Sequence, residues 1–227
     1  MSSSSVGRRL EGKVAIVTGG ASGIGASTVQ LFHDNGAKVV IADIQDNLGQ
    51  ALSDKLNDNV CYIHCDVSDE DQVRTLVNDT VSKFGHLDIM YNNAGVMNGV
   101  FNSIVTTEKK DIERMLSVNL VASKYGIVGL TKNLAAELGF HGIRVNCISP
   151  FGVLTGSDID ETKEEYFEKM MSAVGNLKGN VLKAEDIAKA AVYLASDEAC
   201  YVSGMNFVVD GGYSVVNPTL MKSLKAI

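Results

Sequence analysis

Two continuous apolar runs, KVAIVT at 13–18 and AKVVIAD at 37–43, bracket a single helix-like stretch, and nothing else in the chain constrains its fold as tightly. A strand without polar alternation is buried on both faces, which parallel sheets achieve by carrying helices on each side. The stretch between the runs, SGIGASTVQLFHDN, stops at Gly36 in the manner of a C-terminal cap. VCYIHCD at 60–66 reads as a third strand and LDIMYNNAG at 87–95 as a fourth with its exit loop. Between these two, Val73, Leu76, Val77, Thr80, Val81 and Phe84 share one helical face behind a capping Ser68. IRVNCIS at 143–149 and MNFVVDGG at 205–212 supply two later strands, separated by a charged segment, DIDETKEEYFEKM, and a short helix at 186–196. Right-handed crossovers make this an α/β fold with a doubly wound parallel sheet of the Rossmann type.

The 227 residues contain no internal repeat, low-complexity tract or linker, so the expectation is a single domain over 11–227 behind a flexible polar tail at 1–10. A net charge of −7 with no basic stripe argues against nucleic acid as a partner. In MSSSSVGRRLEG no apolar run follows the arginines, so neither a signal peptide nor a membrane span is expected there. The cysteines, Cys61, Cys65, Cys147 and Cys200, lack CxxC metal spacing. Reduced thiols in a cytoplasmic protein are the expectation, with Cys61 and Cys65 on one face of their strand, and no metal site.

TGGASGIG, Thr18 to Gly25, lies between the first strand and the first helix. Glycines at 19, 23 and 25 allow a tight turn and close approach to a pyrophosphate, and the helix start offers unpaired N–H groups. Asp43 ends the second strand, 18 residues after Gly25. A carboxylate there can accept hydrogen bonds from an adenosine ribose and repels a 2′-phosphate. No arginine follows in ADIQDN, which favours NAD over NADP.

These features together, with Asp66-Val67, NNAG at 92–95, SVNL, ASKYGIVGLTKNLAAELG, GIRVNCISPFGV and YVSGMNFVVDGGY, resemble the short-chain dehydrogenase/reductase family from Leu10 to Tyr213. NLKGNVLKAEDIA is similar to the plant secondary-alcohol dehydrogenases of the secoisolariciresinol dehydrogenase branch. The resemblance implies that Gly19, Ser22, Gly23, Ile24 and Gly25 hold the pyrophosphate of NAD, and that Asp43, with Ile44 beside it, holds the adenosine ribose. It places Asp66 and Val67 at the adenine, and Asn93, Ala94 and Gly95 on the cofactor floor. Pro150, Val153 and Thr155 match nicotinamide contacts, Asn119 the structural asparagine, and Lys124 the catalytic lysine that also touches the cofactor. An oligomer of identical chains is the family's habit.

The family's chemistry rests on a serine followed by Y-x-x-x-K. The tyrosine exchanges a proton with the substrate oxygen, and the lysine lowers its pKa. In VNLVASKYGIVGL, Leu120 stands four residues before Lys124, and no room remains for the serine. Tyr125 is no substitute, because adjacent helical residues diverge by about 100°. Residues 108–138 read as one helical pattern with no strand signal, longer than the ~25 residues usual for an uncapped pattern in a domain. The expectation is therefore an internal deletion at Leu120 to Ala122 that removes the fifth strand with its serine and the tyrosine. Either an alternatively spliced transcript or an incorrect gene model produces such a junction. A missing central strand leaves backbone groups unpaired and predicts a destabilised region around 96–142.

Three readings stay open. The chain is an NAD-dependent oxidoreductase for a secondary alcohol or ketone, such as a small terpenoid or phenolic ring of plant secondary metabolism. Alternatively it is a non-catalytic nucleotide-binding partner of full-length relatives, or a non-functional product. Residues 154–180 are the expected substrate-holding loops.

Overall fold

The computed structural model describes residues 8–95, 121–155 and 161–215. Strand β1 (Val14–Thr18) leads through the glycine turn into α1 (Gly23–Asp34), and β2 (Lys38–Asp43) follows. Then come α2 (Asp46–Leu56), β3 (Val60–His64), α3 (Glu70–Phe84) and β4 (Ile89–Tyr91). The second half holds α4 (Val121–Leu138), β5 (Cys147–Pro150), α5 (Glu161–Val174), α6 (Ala184–Ala195) and β6 (Asn206–Val209). The first four strands form one parallel sheet in the order β3-β2-β1-β4, with the chain order reversing across β1. That reversal opens a crevice at the carboxyl ends of β1 and β4, where ligands of such sheets sit.

The apolar runs bury both faces, as their lack of alternation requires. Ala15, Val17, Val39 and Ile41 point into a core with Val29 and Phe32 of α1 and Ala191 and Val192 of α6. Ile16, Val40 and Ala42 point the other way, against Leu76 of α3 and Cys65. Cys61 packs on that second core too, so the two thiols share a face. All four cysteines are free.

Several boundaries differ from the sequence reading. Asp69, not Ser68, caps α3: its carboxylate accepts from the amides of Asp71 at 3.0 Å and Gln72 at 3.2 Å. The Ser68 hydroxyl is committed instead to Asp66 Oδ1 at 2.7 Å. The expected strand at 143–149 shortens to Cys147–Pro150, because the preceding backbone and side chains bond to a loop. Val145 N donates to Ser203 Oγ at 3.1 Å, and Asn146 Nδ2 to the carbonyl of Val202 at 2.7 Å. Of the helical pattern at 108–138, the structure describes Val121–Leu138 as helix; 108–120 lie outside the described residues.

β5 and β6 pair parallel with one another but form a separate two-stranded sheet. Among the described residues no strand lies between β4 and β5, and no ladder joins the two sheets. Contact between them runs through helices. α1 packs along α6, Ile148 of β5 rests on the α1–α6 core beside Ile89 and Tyr91 of β4, and the Tyr193 ring lies 6.2 Å from that of Phe207.

Candidate functional site

The glycine turn is held from beneath by β4's exit loop. Thr18, the last residue of β1, accepts at its hydroxyl oxygen from the amides of Asn93 at 3.0 Å and Ala94 at 3.1 Å. Asn93 returns the contact, donating from Nδ2 to the carbonyls of Thr18 at 3.0 Å and Gly19 at 3.2 Å. Gly19 has φ +62, and a side chain there would meet the Ala94 backbone at 2.8 Å. At Gly25 an added Cβ would overlap the Gly19 carbonyl, so the turn closes only because both positions lack side chains. Thr18 was not among the residues assigned from sequence. Its role depends on partners about 75 positions away, which no local pattern reports.

Above this turn, α1 begins without a side-chain cap at Ser22 and without acidic residues in its first turn. Its first amides and positive dipole end are thus left for an anion, the arrangement that takes a pyrophosphate. Thr155, from the loop after β5, lies against Gly23: a Cβ there would sit 2.8 Å from that of Thr155. Two groups of expected cofactor residues, far apart in sequence, are therefore neighbours.

Asp43 is 5% exposed at the end of β2. Oδ2 accepts from the Ala21 amide at 3.0 Å, and Oδ1 from the Gln45 amide at 3.0 Å and Gln45 Nε2 at 3.3 Å. A carboxylate offers about four acceptor positions, so capacity remains for a hydroxyl. Ile44 and Val67, beyond the carboxyl ends of β2 and β3, are 55% and 37% exposed and offer apolar surface to a flat base. Asp66, in the loop from β3 to α3, is held below the ordinary carboxylate range by hydrogen bonds from the Ser68 amide and hydroxyl. Glycine cradle, uncapped helix start, anchored carboxylate and apolar pair fit an adenine dinucleotide.

The catalytic positions are less complete. Asn119 and Leu120 lie outside the described residues, and Lys124 lies in the first turns of α4. Pro150 ends β5, and Val153 and Thr155 follow in its exit loop, at the carboxyl side of the second sheet. Beyond them a cavity of about 290 Å³ is lined by Phe151, Met171, Leu177 and Val181 together with Asp186 and Asp210. The ring of Tyr213 lies against that of Phe151, with centroids 4.6 Å apart and planes tilted by 38°. Met171 and Leu177 come from the stretch 154–180 expected to hold substrate, whereas Phe151, Val181, Asp186 and Asp210 lie outside it.

Comparison with known proteins agrees with this geometry. The profile described as short chain dehydrogenase matches residues 13–122, and that described as Enoyl-(Acyl carrier protein) reductase matches 120–214. The chain is 58% identical to (+)-borneol dehydrogenase 1 of Salvia officinalis, over 96% of this chain and 99% of that protein. It is 45% identical to secoisolariciresinol dehydrogenase of Forsythia intermedia, over 95% and 94%. Among solved structures, a 3-ketoacyl-(acyl-carrier-protein) reductase from Brucella melitensis, complexed with NADH, superposes with a TM-score of 0.81 at 28% identity, over 90% of this chain and 99% of that one. The Salvia alignment runs over 258 positions, whereas 96% of 227 residues is about 218. About 40 positions of that alignment thus have no residue in this chain. The chain belongs to the short-chain dehydrogenase family.

Proposed function

We propose that this member of the short-chain dehydrogenase family binds NAD(H) at the β1–β2–β4 crevice and turns over secondary alcohols at below about 1% of the rate of an intact relative. The observation that carries the binding half is Asp43, fixed by Ala21 and Gln45 beside the glycine cradle. Its negative charge meets ribose hydroxyls well and a 2′-phosphate poorly, which favours NAD over NADP.

Hydride exchange is the chemistry a bound nicotinamide supplies. The protein must move a proton at the substrate oxygen, and Leu120 has no group to do so. We attribute this to the loss of a segment at Leu120 to Ala122, carrying the fifth strand, the serine and the tyrosine. Three features support the reading: the 40 or so unmatched alignment positions, the meeting of the two family profiles at residues 120–122, and the division of the sheet between β4 and β5. The mixed apolar and acidic cavity beside Phe151 suits a small ring alcohol or ketone, of the size of the borneol named for the Salvia relative. A cytoplasmic homo-oligomer without nucleic-acid or membrane partners completes the proposal.

The test is a fluorescence titration with NADH and NADPH, made simple by the absence of tryptophan. Wild-type protein is expected to saturate with NADH and to bind NADPH at least about tenfold more weakly. Asp43→Asn should weaken NADH about 10- to 100-fold, the worth of a charged hydrogen bond, and leave NADPH unchanged or tighter. Equal binding of both cofactors by the wild type would remove Asp43 from its assigned role.

A further inference from the structure

We propose that Tyr62 is a positioning residue for the ribose-binding carboxylate, locking the turn that displays Asp43 by joining its two ends; this rests on the NAD(H)-binding reading above. β3 pairs with β2 so that His64 stands opposite Asp43 and Tyr62 opposite Ile41. Strand alternation puts Tyr62 and His64 on one face, toward α2. From there the Tyr62 hydroxyl lies 2.8 Å from the backbone carbonyl of Asp43 and 2.5 Å from Asp46 Oδ1. His64 Nδ1 reaches the same Asp46 oxygen at 2.7 Å.

The phenol's single O–H faces both acceptors, so one shared three-centre hydrogen bond links the last residue of β2 and the first of α2, three positions apart. Between these anchors lie only Ile44 and Gln45, the residues that present an apolar surface and clamp Asp43 Oδ1. The Tyr62 and His64 hydrogen bonds hold Asp46 below its ordinary range, and burial followed by the hydrogen bond to Asp46 pushes Tyr62 above its own. Asp46 stays anionic and Tyr62 stays protonated, so at neutral pH the phenol is the donor.

α2 is shaped to admit the ring. A Cβ on Gly49 would overlap the Tyr62 ring carbons, so a glycine inside a helix, ordinarily unfavourable, is what lets the phenol reach the turn. Asp46, Gly49, Tyr62 and His64 form one device whose output is the position of a carboxylate none of their side chains touches.

The experiment is a double-mutant cycle read by NADH and NADPH titration. Tyr62→Phe is expected to raise the NADH Kd about fivefold, the worth of one hydrogen bond, while the NADPH Kd stays within about twofold. In the Asp43→Asn background the same change should do nothing further, because its effect passes through that carboxylate. Asp46→Asn, which keeps the ring packing and removes the charge, should narrow the NADH preference in the same direction. Equal weakening of both cofactors, or full additivity with Asp43→Asn, would reduce Tyr62 to ordinary packing and overturn the proposal. Wild-type protein that fails to bind NADH would take down the underlying reading, and this proposal with it, before any variant was examined.

Discussion

Restoring the 40 or so residues that the Salvia relative carries, inserted between Leu120 and Ala122, is expected to raise the rate of NADH formation from small ring alcohols by at least about 100-fold. The magnitude follows from what the proposed deletion removes. A positioned general acid/base contributes about 10²- to 10⁴-fold, and a hydroxyl that holds the reacting oxygen contributes further. Lys124 remains in α4, and on the deletion proposed above the insertion gives it a tyrosine to act on. The gain should therefore vanish in the chimaera carrying Lys124→Ala, and binding of NADH should be similar with and without the insertion, since the crevice proposed for the nucleotide lies in β1–β4. Steady-state kinetics on the 227-residue chain and the chimaera decide it. A chimaera that binds NADH, shows native circular dichroism and is no faster than the parent would refute the deletion reading. So would a parent already turning over at the chimaera's rate.

How much of this was legible in the sequence follows from where each signal resides. β1 and β2 were readable because Val14 to Val17 and Val39 to Ala42 are buried from both sides, which leaves no polar residue to interrupt the run. α2 escaped because its buried face is Gly49, Ser53 and Leu56; two of the three are small or polar, and the space above Gly49 belongs to an aromatic ring from β3. The start of β5 was misplaced because Arg144 to Asn146 look like strand but satisfy themselves on the loop near Val202. The glycines of the turn and Asp43 were legible because strand, turn and helix fix their relation locally, whereas Asn93 was assigned only by resemblance, its partners in the turn lying about 75 positions away. Thr18 and Tyr62 were not, because each acts through a contact that the sheet brings together, and Gln45, two positions from Asp43, carries no sequence pattern that marks its hydrogen bonds. Asn119 was legible as a resemblance, but it lies outside the described residues.

Phe32→Ala is expected to lower unfolding free energy by about 3–5 kcal/mol, a large share of the roughly 5–15 kcal/mol typical of a domain. Phe32 is fully buried on α1, in the core that α1 shares with Ala191 and Val192 of α6 and with both flanking strands. Its ring lies 6.3 Å from that of Tyr91 on β4. With no ladder between the four-stranded and two-stranded sheets among the described residues, the α1–α6 packing is the main tie of β5 and β6 to the rest, joined by Ile148 on the same core. A cavity at Phe32 therefore removes apolar contact at the seam itself, where no strand pairing compensates. Phe32→Leu, which retains most of the volume, should cost less than half as much. Urea unfolding followed by far-ultraviolet circular dichroism measures both, and hydrogen exchange locates the loss. Amides of β5 and β6 should lose protection in Phe32→Ala by more than those of β2 and β3, whose ladder and opposite-face core around Leu76 are intact. A loss below about 1 kcal/mol, or uniform exchange across both sheets, would mean that the seam draws its strength from somewhere other than α1 and α6.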